Sequence, residues 1–67
     1  MDHSALADVV ASILCLERCR THVQTGAAAL STIKADVSGM ERTLAAIEDS
    51  LANLYRLRTA LSQRREA

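Results

Sequence analysis

Two cysteines and a histidine are the residues of this sequence whose types and spacing best suit chemistry. Cys15, Cys19 and His22 follow one another at steps of four and three residues, so a helix would place them on one face. A structural zinc site needs four ligands. The other histidine, His3, lies several helical turns before this group, so we expect no metal site. A disulfide between Cys15 and Cys19 is disfavoured by helical geometry in an intracellular protein. We expect both cysteines to be small buried apolar residues.

No other set of residues suggests catalysis. The sequence contains no nucleophile–base set, no glycine-rich phosphate loop and no paired-carboxylate motif. The adjacent Glu48 and Asp49 fit a solvated helix surface. We predict that the protein is not an enzyme and that it uses no cofactor.

The composition indicates an all-α protein. Its 67 residues include no proline and only two glycines, and they show no sustained strand alternation. The formal net charge is zero, which removes the usual electrostatic reason to expect nucleic acid or an anionic membrane as a partner. No apolar run approaches the roughly 18 residues of a membrane span, and the N-terminus lacks the basic segment of a signal peptide. We expect a soluble, intracellular protein.

A heptad repeat extends from Val23 to Leu61. Between Leu30 and Leu54 the apolar residues alternate in steps of three and four without an error. So narrow a stripe is typical of a coiled-coil seam, in which heptad positions a and d face a partner helix. We predict that this seam is an oligomer interface. Its residues are Val23, Leu30, Ile33, Val37, Met40, Leu44, Ile47, Leu51, Leu54, Arg58 and Leu61.

The chemistry of the seam favours three or four helices. Leucine at a with isoleucine at d, as in Leu30 with Ile33 and Leu44 with Ile47, shifts coiled coils from dimers toward trimers and tetramers. Alanines widen the apolar flank, and the flanking positions carry few complementary charges. We therefore predict a homo-trimer or homo-tetramer, with Arg58 as a polar residue near the end of the bundle.

A shorter apolar stripe precedes the seam and is out of phase with it. Asp2 or Ser4 could cap the helix that carries this stripe. The phase changes between Leu16 and Val23, which requires a stutter or a break. We interpret the stripe as an accessory packing helix, formed by Leu6, Val9, Val10, Ile13 and Leu16.

The stretch Thr21–Gly26 is the least favourable for a helix, because it combines β-branched residues with a glycine. We favour a short helix over about 4–22, a kink or turn near 24–26, and a long helix over about 27–63 that Thr25 could cap.

The single domain over 1–67 would then divide into an accessory helix over 1–22 and a coiled coil over 23–63. A long helix cannot bury its seam against itself, so other chains would have to cover it. Two alternatives remain open: a break at Ser38-Gly39, which would give a helical hairpin of two similar arms, and one unbroken helix.

The order of these stripes resembles the oligomerisation domains of phosphoprotein-type polymerase cofactors of non-segmented negative-strand RNA viruses. The segment Ser4–Val10, followed by Ile13 and Leu16, is similar to the filovirus version, and the heptads from Leu30 to Glu48 follow it. The resemblance implies a trimer or tetramer that links the viral polymerase to its nucleoprotein–RNA template in the host cytoplasm. The chain would be an excised domain, with binding sites for those partners mostly outside it.

A different class of protein also fits the sequence. A small helical adaptor or co-chaperone, such as the two-helix partners of bacterial type III secretion, would use the same apolar stripe to bind a different protein. The mass of the protein in solution distinguishes the two functions.

Overall fold

The computed structural model describes residues 4–66 as two antiparallel helices joined by a short loop. Helix α1 is Ala5–Thr32 and helix α2 is Ser38–Glu66. No strand occurs in this part of the chain, which confirms the all-α prediction. The hairpin measures 53 × 16 × 13 Å. Within the described residues, neither helix contains a stretch that is long and apolar enough to cross a membrane.

Helix α1 begins at the residue that its capping chemistry predicts. The Ser4 side chain accepts a hydrogen bond from the backbone N–H of Ala7 at 3.2 Å, which satisfies one of the free donors of the first turn. Asp8 lies in that turn, where a negative charge complements the helix dipole. The prediction that Ser4 caps the helix is confirmed, and the other candidate, Asp2, lies outside the described residues.

The end of α1 is a Schellman motif that contains no glycine. The backbone N–H of Lys34 donates to the carbonyl of Ser31 at 3.0 Å, and that of Ala35 donates to the carbonyl of Leu30 at 3.1 Å. Lys34 takes the left-handed conformation, with φ at 61°, where glycine is the usual residue. The chain therefore reverses direction at an ordinary side-chain-bearing residue.

Helix α2 begins with an aspartate that holds its first turn. The Asp36 carboxylate accepts hydrogen bonds from the backbone N–H of Ser38 at 2.9 Å and from its hydroxyl at 2.8 Å. These bonds, that of the backbone first, hold the pKa of Asp36 below its usual value. The N–H of Glu41 donates to the carbonyl of Val37 at 2.9 Å. Local side-chain chemistry thus starts α2 directly after the reversal.

The prediction of a kink or turn near 24–26 is wrong, and so are the helix limits of 4–22 and 27–63. Residues 24–26 lie inside α1, so Thr25 caps no helix. The hydroxyl of Thr21 donates to the carbonyl of Glu17 at 3.2 Å, and Val23 packs against the core. Tertiary packing overrides the weak helix propensity of this stretch. The boundary between the proposed parts 1–22 and 23–63 also falls inside α1.

The hairpin alternative describes the architecture correctly but places its turn too late. Ser38 and Gly39 are the first residues of α2, and the reversal occupies residues 33–37. Because this loop folds α1 back along α2, the chain covers much of its own seam. The expectation that only other chains could cover the seam is therefore wrong.

Gly26 lies on α1 beside the Met40 side chain of the other helix. A Cβ built on Gly26 would lie 3.1 Å from the terminal methyl of Met40, which ends a flexible side chain. A Cβ on Gly39 would meet only the end of the Arg42 side chain, at 3.8 Å. We expect Gly26→Ala to raise the free energy of unfolding by about 0.5–1 kcal/mol, because alanine has less backbone entropy to lose in a helix.

Thermal unfolding followed by circular dichroism measures this change, with Gly39→Ala as the matched variant in open space. A lower melting temperature for Gly26→Ala alone would show that the Met40 methyl cannot move aside.

Candidate helix-pairing interface

The interface between α1 and α2 is built around four buried apolar side chains. Val9 and Ile13 of α1 are 9% and 2% exposed, and Ile47 and Leu51 of α2 are 8% and 1% exposed. Other apolar side chains pack against this group: Leu16, Val23, Leu54, Tyr55 and Leu61. The buried group therefore joins the N-terminal half of α1 to the first half of α2.

Helix α1 keeps a single heptad register along its length. The inward stripe that starts at Leu6 continues from Leu16 to Arg20, Val23 and Ala27, again at steps of four and three, and these side chains are half-buried. The expectation that the phase changes between Leu16 and Val23 is wrong. The two registers differ because they belong to two helices, and the change falls at the end of α1, between Ala27 and Ile33.

The predicted seam residues of α2 mostly face α1. Ile47 and Leu51 are buried, and Val37, Met40, Leu44, Leu54 and Leu61 are half-buried, as is Val23 of α1. Leu30, Ile33 and Arg58 are exposed. Among the predicted accessory residues, Val9 and Ile13 are buried, Leu6 and Leu16 are half-buried, and Val10 is exposed. The structure shows these residues pairing helices within one chain, and their role between chains stays a prediction.

A polar contact crosses the interface at its flank. The hydroxyl of Tyr55 donates to a carboxylate oxygen of Glu17 at 2.5 Å, and the Arg58 guanidinium lies 5.2 Å from the centroid of the Tyr55 ring. From the sequence alone, Arg58 is expected only as a polar residue near the end of a bundle, and the contact between Glu17 and Tyr55 is not predicted. Glu17 and Tyr55 occupy equivalent positions beside the inward stripes of two antiparallel helices. This relation can be recognised from the sequence only when the position of the turn is known.

Because of this contact, the stability of the fold is expected to decrease at alkaline pH. The hydrogen bond to Glu17, with smaller effects of desolvation and of the Glu17 charge, raises the pKa of Tyr55 above its usual value. A raised folded-state pKa gives stability that is fully present below the unfolded-state value of about 10 and is lost as the pH rises through the folded-state value.

We expect the melting temperature of the wild type to fall more steeply above pH 10 than that of Tyr55→Phe, which has no hydroxyl to ionise. Thermal melts at intervals of half a pH unit from 8 to 12 measure the difference. Parallel curves for the two proteins would show that the contact does not form in solution.

Two groups of large apolar side chains remain exposed. The outer patch consists of Val10 and Leu14, which lie one turn apart on α1 and are 37% and 61% exposed. The tip consists of Leu30 and Ile33, beside the loop, at 37% and 71%. Leu57 of α2 is 45% exposed. The hairpin therefore leaves apolar surface at its tip and on its outer face without a covering element.

The cysteines lie on the outside of α1. Both Cys15 and Cys19 are exposed free thiols, so the prediction that they are buried is wrong. The reason is the register of α1, which turns Leu16 and Arg20 inward instead. His22 is also exposed, and between residues 4 and 66 no group of three or more histidine, cysteine or acidic side chains is arranged to hold a metal ion.

The fold and the interface define an all-α, two-helix antiparallel hairpin with an apolar pairing surface. Comparisons with protein families, curated proteins and solved structures find no match for this chain.

Proposed function

We propose that the protein is a homo-oligomerisation module in which helical hairpins pair into a larger helical bundle. The observation that carries the proposal is the exposed apolar surface of the hairpin, with Leu14 at 61% and Ile33 at 71% exposed. Burying one such side chain contributes about 1.5–3 kcal/mol, so covering these residues in an assembly is favourable.

The total surface of the chain supports the same conclusion. The chain exposes 4903 Å², whereas a folded monomer of 7.2 kDa is expected to expose about 4,100 Å². Its radius of gyration is 15.7 Å, against about 11 Å for a compact domain of this length. A domain this small and this extended has little core of its own, and association is a usual way to add one.

The hairpin changes the number of chains that the seam chemistry requires. Leucine at a with isoleucine at d, as in Leu44 with Ile47, favours bundles of three or four helices. With one long helix in each chain, such a bundle would need three or four chains. Since each chain contributes two helices, two chains supply a four-helix bundle. We therefore propose a dimer of hairpins as the smallest closed assembly.

The proposal extends to the biological setting implied by the sequence resemblance. In a viral polymerase cofactor, such a module would hold copies together while contacts to the polymerase and to the nucleoprotein–RNA template lie outside this segment. The support for this setting is the resemblance of the stripes alone, and it stays a prediction.

One observation favours a second candidate, the two-helix adaptor that binds a different protein. The two arms are nearly equal, at 28 and 29 residues, and the pairing within the chain is already formed without a second copy. An adaptor of this kind would use the outer patch of Val10 and Leu14 as its docking face.

Light scattering coupled to size exclusion, over a hundredfold range of concentration, tests the proposal. We expect a mass of two or more chains that decreases on dilution. A monomer at every concentration would overturn the homo-oligomer proposal and leave the adaptor as the better candidate.

A further inference from the structure

We propose that two copies associate by exchanging helices: the loop at 33–37 becomes helical, and α1 of each copy pairs with α2 of the other. The proposal rests on the proposed self-association. In place of the side-by-side four-helix bundle of two hairpins, it gives a two-helix pairing of about twice the length, in which each chain is one continuous helix. The tip around Leu30 and Ile33 is then the centre of the interface with a second copy.

The loop contains no residue that prevents a helix. Residues 33–37 are Ile, Lys, Ala, Asp and Val, with neither proline nor glycine. Lys34 holds a left-handed conformation that is costly for a residue with a Cβ. The turn thus stores a backbone strain that a continuous helix would release.

The heptad spacing continues through the loop without interruption. Leu30, Ile33, Val37 and Met40 follow at steps of three, four and three residues, so a continuous helix would place them on one face. In the hairpin Ile33 is instead 71% exposed and Leu30 is 37% exposed. Residues that keep the heptad spacing but are exposed in the hairpin are expected to pair with a helix in another arrangement of the same chain.

The symmetry of the hairpin supplies that helix from a second copy. Glu17 pairs with Tyr55, and Gly26 faces Met40, so the midpoints of pairing fall at residues 36 and 33 of the chain. If two continuous helices paired in antiparallel orientation, the two-fold axis would pass between residues 33 and 36. Ile33 of one copy would then face Val37 of the second copy, covering the side chain that the hairpin leaves most exposed.

Exchange keeps most of what stabilises the hairpin. Every contact between α1 and α2 is made again between chains, including the core around Ile13 and Leu51. The cost is the loss of the Schellman bonds and of the Asp36 contacts with Ser38. The two registers join through consecutive three-residue steps at Ala27, Leu30 and Ile33, which overwind a coiled coil locally without ending it.

The arrangement can be measured by energy transfer within one chain. Donor and acceptor dyes are placed at Ala5→Cys and Gln63→Cys in a Cys15→Ser, Cys19→Ser background. These positions lie at the same end of the hairpin, close to where Ala5 and Leu61 line one surface pocket. In an exchanged dimer they would be about 87 Å apart along a continuous helix.

Labelled chain is refolded with an excess of unlabelled chain, and transfer and mass are measured together. A dimer mass with loss of transfer is the expected result. A dimer mass with transfer retained would overturn the exchange while the proposed function stands. A monomer that retains transfer at every concentration would overturn both.

Two variants at Lys34 test the helix exchange through the dissociation constant of the dimer. Lys34→Gly relieves the left-handed strain in the hairpin and weakens a continuous helix, so we expect the dimer to weaken by about tenfold or more per chain. Lys34→Ala removes the same side chain but keeps the strain and favours the helix, so the dimer should be retained or strengthened. Equal dissociation constants for the two variants, by sedimentation equilibrium, would contradict the proposal.

Discussion

Replacing Leu51 with alanine is expected to lower the free energy of unfolding by about 2–5 kcal/mol, the range observed for leucine removed from a packed core. Leu51 is 1% exposed and lies at the centre of the small buried group. A domain of this size has few other buried side chains that could repack around the cavity. Since small domains are marginally stable, the variant should be largely unfolded near 37 °C.

Leu57→Ala is the matched control for this prediction, because it makes the same substitution in the same helix at a side chain that is 45% exposed. We expect it to lower the free energy of unfolding by about 1 kcal/mol or less, in keeping with surface substitutions. Urea titrations followed by circular dichroism measure both. Equal losses for the two variants would show that the buried group does not dominate stability.

Replacing Leu14 with glutamate is expected to weaken the side-by-side association of hairpins by at least about tenfold while leaving the hairpin folded, and to leave a helix-exchanged dimer, in which Leu14 stays on the outer face, unaffected. Leu14 belongs to the outer patch and is 61% exposed, so the hairpin does not depend on it. In a symmetric assembly the loss of about 1.5–3 kcal/mol of burial counts once for each copy. The added charge would also have to be buried without a partner.

Gln24→Glu adds the same charge to the same helix at another exposed position and serves as its control. Sedimentation equilibrium gives the dissociation constants, and a melt of each variant shows that it remains helical. If Leu14→Glu associates as tightly as Gln24→Glu, the outer patch lies outside the interface. Such a result would place the association elsewhere, at the tip formed by Leu30 and Ile33 or at Leu57.

Local chemistry made several features predictable from the sequence. The all-α class follows from composition, and the N-cap at Ser4 follows from a side chain that can reach the first free N–H groups. The inward positions of α2, from Met40 to Leu61, follow from the heptad period, since spacing determines which residues share a face. These features depend on residues within a few turns of one another.

The turn was not predictable in the same way. Neither glycine nor proline marks it, since the reversal uses Lys34 in a left-handed conformation. The stretch that did carry a weak-helix signal, Thr21–Gly26, is helical because Val23 packs on the core and Gly26 allows Met40 to approach. Propensities differ by at most about 1 kcal/mol per residue here, and tertiary packing exceeds that.

The sequence by itself determined that this protein pairs helices and which residues of α2 form the pairing stripe. Tertiary structure alone decided which helix they meet. A heptad period records that a residue faces a neighbouring helix, but it is the same whether that helix belongs to the same chain or to another. The reversal at 33–37 makes α1 the partner of α2 and leaves Leu14, Leu30 and Ile33 exposed. Which apolar side chains remain exposed thus depends on a loop that no local pattern marks.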